Sequence, residues 1–285
     1  MFRAAGALIR DRELAGPDFM AARLIPWAVR ISTLVKIPGI RRLVPWLIGR
    51  ALPGALWFEV VRTKYMDDVL RQEIRAGATQ VVILGAGLDS RPYRMAVELA
   101  GTVVFEVDHP SASMWKQSRL RATLGSPATA PVRYVTADLP ESDLAESLEH
   151  EGYDRSVRSV VVWSGVTPYL APHDVDATLR WMARQAPGSC LVFDYCWQEI
   201  IDGTANAPGA AAVMRAAAGR GEPWLSGIPR GQAPAYVTAR GLLVDESLDI
   251  EATRDRYLTR RDGSTVGPVW DFGGFVRARV PPHKR

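Results

Sequence analysis

The sequence predicts an α/β protein built on an open, doubly wound, mostly parallel sheet. Three observations predict it. Short β-branched runs alternate with helix-length segments through the middle of the chain. The first of those runs passes directly into a glycine turn, and the second ends in an acid. The 285 residues, 47% of them hydrophobic, suffice for one full core, so one main domain with appended helices is expected.

The elements follow in order. Residues 1–75 read as helices interrupted by prolines and are expected to form an N-terminal helical lid. Five strands are expected at 80–84 (QVVIL), 102–107 (TVVFEV), 132–136 (VRYVT), 159–163 (SVVVW) and 189–195 (SCLVFDY). Helices at about 91–99, 109–124, 142–150 and 173–186 separate them, which makes residues 76–200 a ligand-binding core of five parallel strands. Residues 201–285 then supply an insertion over the sheet and its closing strands. The Ala run at 210–218 is expected to be helical. Strand candidates at 242–248 and 272–280, with no crossover helix expected between them, predict an antiparallel C-terminal hairpin at the sheet edge.

Charge and composition narrow the function. Residues 1–64 hold eleven Arg/Lys against four Asp/Glu, a balance of +7, while the whole chain carries only +4, so the remainder is −3. A basic segment of this kind reads first as a solvated helical face, and no nucleic-acid partner is expected. Charged residues, Arg30 to Arg50 among them, interrupt the most hydrophobic stretch, so no membrane span is expected, and MFRAAGALIRDREL does not read as a signal peptide. Cys190 and Cys196 form neither a disulfide framework nor a zinc pattern, which suggests a reduced, cytoplasmic protein without a metal.

The glycine turn carries the chemistry. Gly85 and Gly87 follow an apolar strand, so the chain can turn tightly and a ligand can approach the backbone. A dinucleotide fingerprint wants a third glycine where this chain has Ser90, which argues against a nicotinamide cofactor, and no P-loop occurs. In FEVDHP, Asp108 lies 21 residues beyond Gly87, the place of a carboxylate that accepts from two ribose hydroxyls. Asp138-Leu139 follows the third strand, where an acid meets an adenine amine and an apolar side chain covers the ring. An adenosine-type ligand without a pyrophosphate fits these positions.

Taken together, VRTKYMDD at 61–68, LGAGLDSRPYR at 84–94, FEVDHP at 105–110, ADL at 137–139, SGVTPYL at 164–170 and GEPWLSGI at 221–228 resemble the leucine carboxyl methyltransferase family, in its bacterial natural-product branch. The resemblance implies a Rossmann-like class I methyltransferase sheet and S-adenosyl-L-methionine as methyl donor, with S-adenosyl-L-homocysteine as product. It assigns Arg62 to the methionyl carboxylate, Gly85 and Gly87 to the methionine-binding turn, Asp108 to the ribose, and Asp138 with Leu139 to the adenine. Ser164 departs from the pattern, because family members often carry a cofactor-contacting glutamate there. The hydroxyl keeps a hydrogen-bonding capacity but not the charge.

The acceptor is less legible. Carboxylates are ionised at neutral pH and need no base, whereas an alcohol or phenol usually does. Tyr169 and His173 are the best-placed candidates for acid–base work, and Trp224 in a Gly/Pro-rich loop is the best candidate for a pocket wall. An apolar or aromatic small molecule methylated on a carboxylate or hydroxyl, in secondary metabolism, is the expectation. A protein C-terminal carboxylate, an electron-rich aromatic carbon or nitrogen, and a non-catalytic cofactor binder stay open as alternatives.

Overall fold

A computed structural model describes residues 2–25, 46, 49–50, 52–124, 132–137 and 143–282. Its elements are α1 (Phe2–Gly6), α2 (Ala21–Leu24), α3 (Ala55–Arg75), β1 (Gln80–Leu84), α4 (Arg91–Arg94), β2 (Val103–Asp108), α5 (Pro110–Leu124), β3 (Val132–Thr136), α6 (Leu144–His150), β4 (Ser159–Trp163), α7 (Pro172–Met182), β5 (Cys190–Cys196), α8 (Gln198–Ile201), α9 (Ala210–Ala218), α10 (Ala233–Thr238), β6 (Leu243–Asp249), α11 (Ile250–Leu258) and β7 (Gly273–Arg279). The strands form one seven-stranded sheet in the order β3-β2-β1-β4-β5-β7-β6. β1 to β5 run parallel, and β7 lies antiparallel to both β5 and β6. The strand order reverses at β1, which is flanked by β2 and β4, and ligands of such sheets bind beyond the strand ends at that place.

The sequence builds this sheet by strict alternation within strands that are buried on both faces. Val82, Leu84, Phe105, Trp163 and Phe193 point to one side, where Val175 and Leu179 of α7 cover them. Val81, Ile83, Val104, Val162 and Val192 point to the other, where Val61, Tyr65, Val69 and Leu70 of α3 pack with Ile250 and Leu258 of α11. Burial of each such side chain contributes about 1.5–3 kcal/mol, which explains why near-continuous apolar runs were readable as central strands. Among the described residues, no helix is long and apolar enough to cross a membrane.

Two expectations need revision. The helix anticipated at 91–99 is regular only over Arg91–Arg94 and continues as turns. The closing pair is antiparallel, as expected, but it is not a simple hairpin, because α11 stands between β6 and β7. Asp249 starts that helix by accepting a hydrogen bond from the Ala252 amide at 2.7 Å. The charged sequence IEATRDRYL hid the helix, since only Ile250, Thr253 and Leu258 of it are buried.

Candidate functional site

The turn after β1 places its two glycines for different reasons. Gly85 and Gly87 both have positive φ, 59° and 42°, a region that disfavours side chains. A Cβ on Gly85 would stand 2.5 Å from Val166 Cγ2, so this glycine lets the loop after β4 pack against the turn. A Cβ on Gly87 would find nothing nearer than the Gly85 carbonyl oxygen at 3.9 Å. Gly87 therefore faces open space, a cavity of about 250 Å³ lined by Arg3, Ala21, Ile25, Glu59, Leu88 and Asp89 among others.

Asp108 ends β2 beside this turn. Its carboxylate accepts from the Gly87 amide and, at 2.8 Å, from the amide of His109. Glu106, two residues earlier, is instead a buried partner of Lys116, with Nζ to Oε1 at 2.7 Å. Burial pushes the Glu106 carboxyl up to about 7, against the pull of Lys116. The two acids of FEVDHP thus part company: one is locked in the core and the other is presented at the glycine turn. Asp138 and Leu139 lie outside the described residues.

Arg62, on α3, reaches the ends of β4 and β5. It donates to Asp194 Oδ2 at 3.1 Å and pairs with Glu59 one turn earlier on its own helix. The guanidinium carbon lies 5.3 Å from the Phe58 ring centroid. Asp194 also accepts from the Gly165 amide at 2.6 Å. Ser164 has a different partner: its hydroxyl accepts from Arg3 of α1 at 3.3 Å, and Arg3 also donates to Glu59 at 2.9 Å and to Asp89 at 3.1 Å. Burial works against the Glu59 charge, but Arg62 and Arg3 hold its carboxyl down at about 2.

A second cavity, of about 170 Å³, borders this cluster. Phe58, Tyr169, Trp224, Trp270 and Phe272 wall it, and Glu59, Arg62 and Asp194 line it as well. It shares Phe2 and Glu59 with the cavity at the glycine turn, so the two meet at α1 and α3. Tyr169 and Trp224 form an edge-to-face pair with centroids 6.4 Å apart, and Trp224 leans on Phe272 at 6.1 Å. His173 is not brought there. It opens α7 with its side chain 81% exposed and beside Asp174 at 3.2 Å.

The structure thus gathers Arg62, Gly85, Gly87, Asp108, Ser164, Tyr169 and Trp224 about two adjoining cavities. Sequence reasoning missed Arg3, Glu59, Asp89 and Asp194. For Asp194 and Glu59 a signal was present: each is an acid inside an apolar run, LVFDYC and LWFEVV, and a carboxylate at such a position needs a partner. Arg3 had no such signal, because only folding carries it across 161 positions to Ser164.

The comparisons agree with the motifs. Residues 48–183 match the family model of leucine carboxyl methyltransferase. A protein of Mycobacterium avium (strain 104), named "Putative S-adenosyl-L-methionine-dependent methyltransferase", is 38% identical over 173 residues, covering 58% of this chain and 57% of the relative. The chain thus spans a little over half the length of that curated relative. Two solved structures share the fold: a DUF574-family protein of Streptomyces avermitilis, with a TM-score of 0.59 at 18% identity over 85% of this chain and 91% of that one, and a "putative methyltransferase" of Thermobifida fusca YX, with 0.58 at 20% over 85% and 89%. Five of the six motifs, from VRTKYMDD to SGVTPYL, fall within the matched region and GEPWLSGI lies beyond it, while the two solved structures share the fold over 85% of the chain.

Proposed function

We propose that this protein transfers a methyl group from S-adenosylmethionine to a carboxylate or hydroxyl of a small, apolar or aromatic molecule. The observation that supports this reading is the pair of cavities meeting at Phe2 and Glu59, one against a glycine turn and the other walled by aromatic rings. The family match and the relatives' names point the same way.

The residues present fit the cofactor. Gly87 leaves open the space that a side chain would take, and Asp108 stands at the turn ready to exchange the Gly87 amide for ribose hydroxyls. Arg62 is a planar, bidentate donor suited to a carboxylate, and Glu59, Asp89 and Asp194 offer negative charge to a cationic ligand. When bound, S-adenosylmethionine supplies a methyl already activated on a sulfonium. The protein's task is then to orient the acceptor and exclude water. Trp224, Trp270 and Phe272 do both by presenting flat apolar surface, and Tyr169 can donate or accept at the same wall. A carboxylate acceptor asks no base of the protein, and a hydroxyl acceptor would meet Tyr169 at the cavity wall.

Calorimetry with S-adenosylmethionine and S-adenosylhomocysteine tests the reading. Wild-type protein should bind both, and Asp108→Ala should weaken both by roughly tenfold or more through lost charge-assisted hydrogen bonds. Wild-type protein that binds neither compound would end the proposal.

A further inference from the structure

The charged residues around the glycine turn form one continuous chain of alternating sign. Asp194 pairs with Arg62, Arg62 with Glu59, Glu59 with Arg3, and Arg3 with Asp89. Asp89 pairs with Arg91, Arg91 with Asp67 at 2.8 Å, Asp67 with Arg94 at 2.6 Å, and Arg94 meets Asp18 at 4.0 Å. Among the described residues the chain begins and ends on a carboxylate, so five acids face four guanidinia and one negative charge is left over. Lys116 lies outside this chain, paired with Glu106.

The two ends differ. Asp18 is buried in the scaffold, where the Ser90 hydroxyl and the Ala21 amide donate to it. Asp194 lines the aromatic cavity next to the junction of the two cavities. It also lies close to Ser164: Trp163 pairs with Phe193 in the parallel ladder, and Asp194 accepts from the amide of Gly165, the residue after Ser164. The carboxylate absent at position 164 therefore stands one strand over.

We infer that Asp194, as the cavity-lining end of this unbalanced chain, makes the site prefer the charged cofactor over its uncharged product. The inference rests on the cofactor reading above. S-adenosylmethionine carries a net charge of about +1 at neutral pH and its demethylated product about zero, the ammonium and carboxylate being common to both and the sulfonium alone differing. A methyl bound for the aromatic cavity must pass the junction, so the sulfonium belongs on the side where Asp194 lies. Asp194 favours the cofactor before transfer and loses that hold once the sulfonium charge is gone, which assists product release.

Calorimetry on Asp194→Asn tests this, since Asn keeps the shape and can still accept from the Gly165 amide. The variant should bind S-adenosylmethionine roughly tenfold more weakly, while S-adenosylhomocysteine changes by less than about threefold. Adding Ser164→Glu to that variant should restore most of the loss by returning a carboxylate to the neighbouring strand. Equal weakening of both compounds, or no rescue, overturns the inference. A thermal melt accompanies each variant. Should Asp194→Asn fail to fold, Ser164→Glu alone must raise the preference for the sulfonium compound, and an unchanged ratio overturns the inference equally. Wild-type protein that binds neither compound refutes the cofactor reading instead, so the two failures are distinguishable.

Discussion

Gly165→Ala is a small change with a calculable effect at the centre of the site. Gly165 has a φ of 70°, and a Cβ there would stand 2.4 Å from Arg62 Nη1 and 3.0 Å from its Cζ. Two costs follow. Left-handed backbone strains an alanine by about 1 kcal/mol. The guanidinium must also withdraw, which breaks its 3.1 Å bond to Asp194. Breaking a buried pair outright costs about 3–5 kcal/mol, but Arg62 keeps its second partner Glu59, so about 1–2 kcal/mol is expected here. The sum is about 2–3 kcal/mol, readable as a lower urea midpoint at unchanged slope. A double-mutant cycle isolates the contact. In an Arg62→Met background the same alanine should cost only the backbone strain, leaving a coupling of about 1–2 kcal/mol. Equal costs in the two backgrounds, within about 0.5 kcal/mol, would refute the claim that Gly165 is there to admit Arg62.

Two further outcomes follow from the same geometry. Glu59 has its folded pKa depressed from 4.5 to about 2, so its contribution to stability is complete above the unfolded value and is lost as pH falls through the folded one. That contribution is about 3 kcal/mol at neutral pH, and unfolding free energies between pH 5 and 2 should fall less steeply for Glu59→Gln than for the wild type. Trp224→Ala should leave S-adenosylmethionine affinity within about threefold while raising the acceptor KM, because Trp224 lines the aromatic cavity and not the one at the glycine turn. A fall in cofactor affinity matching the rise in KM would mean that the two cavities are one site.

How far the sequence could be read depended on how local each feature is. Strands buried on both faces declare themselves as apolar runs, and VVILGAG joins such a run to a turn that only glycine satisfies, so β1 and its turn were legible from adjacent residues. Asp108 was legible because a fixed crossover separates it from Gly87. The helix Ile250–Leu258 was not, since a mostly exposed helix carries little apolar period. His173 illustrates the limit on the site side. Its place after the fourth strand suggested proximity, but the helix start turns its ring to solvent.

The sequence by itself thus determined the doubly wound sheet, the glycine turn and the acid that faces it, because alternation, turn geometry and crossover length are properties of neighbouring residues. Tertiary structure alone decided that Arg3 meets Ser164, that Asp194 accepts from the Gly165 amide beside it, and that among the described residues five carboxylates and four guanidinia join into one chain. Those pairings link residues up to 161 positions apart. Pairings of that range leave no period in the sequence, and the partner of a buried charge is chosen only when strands and helices pack.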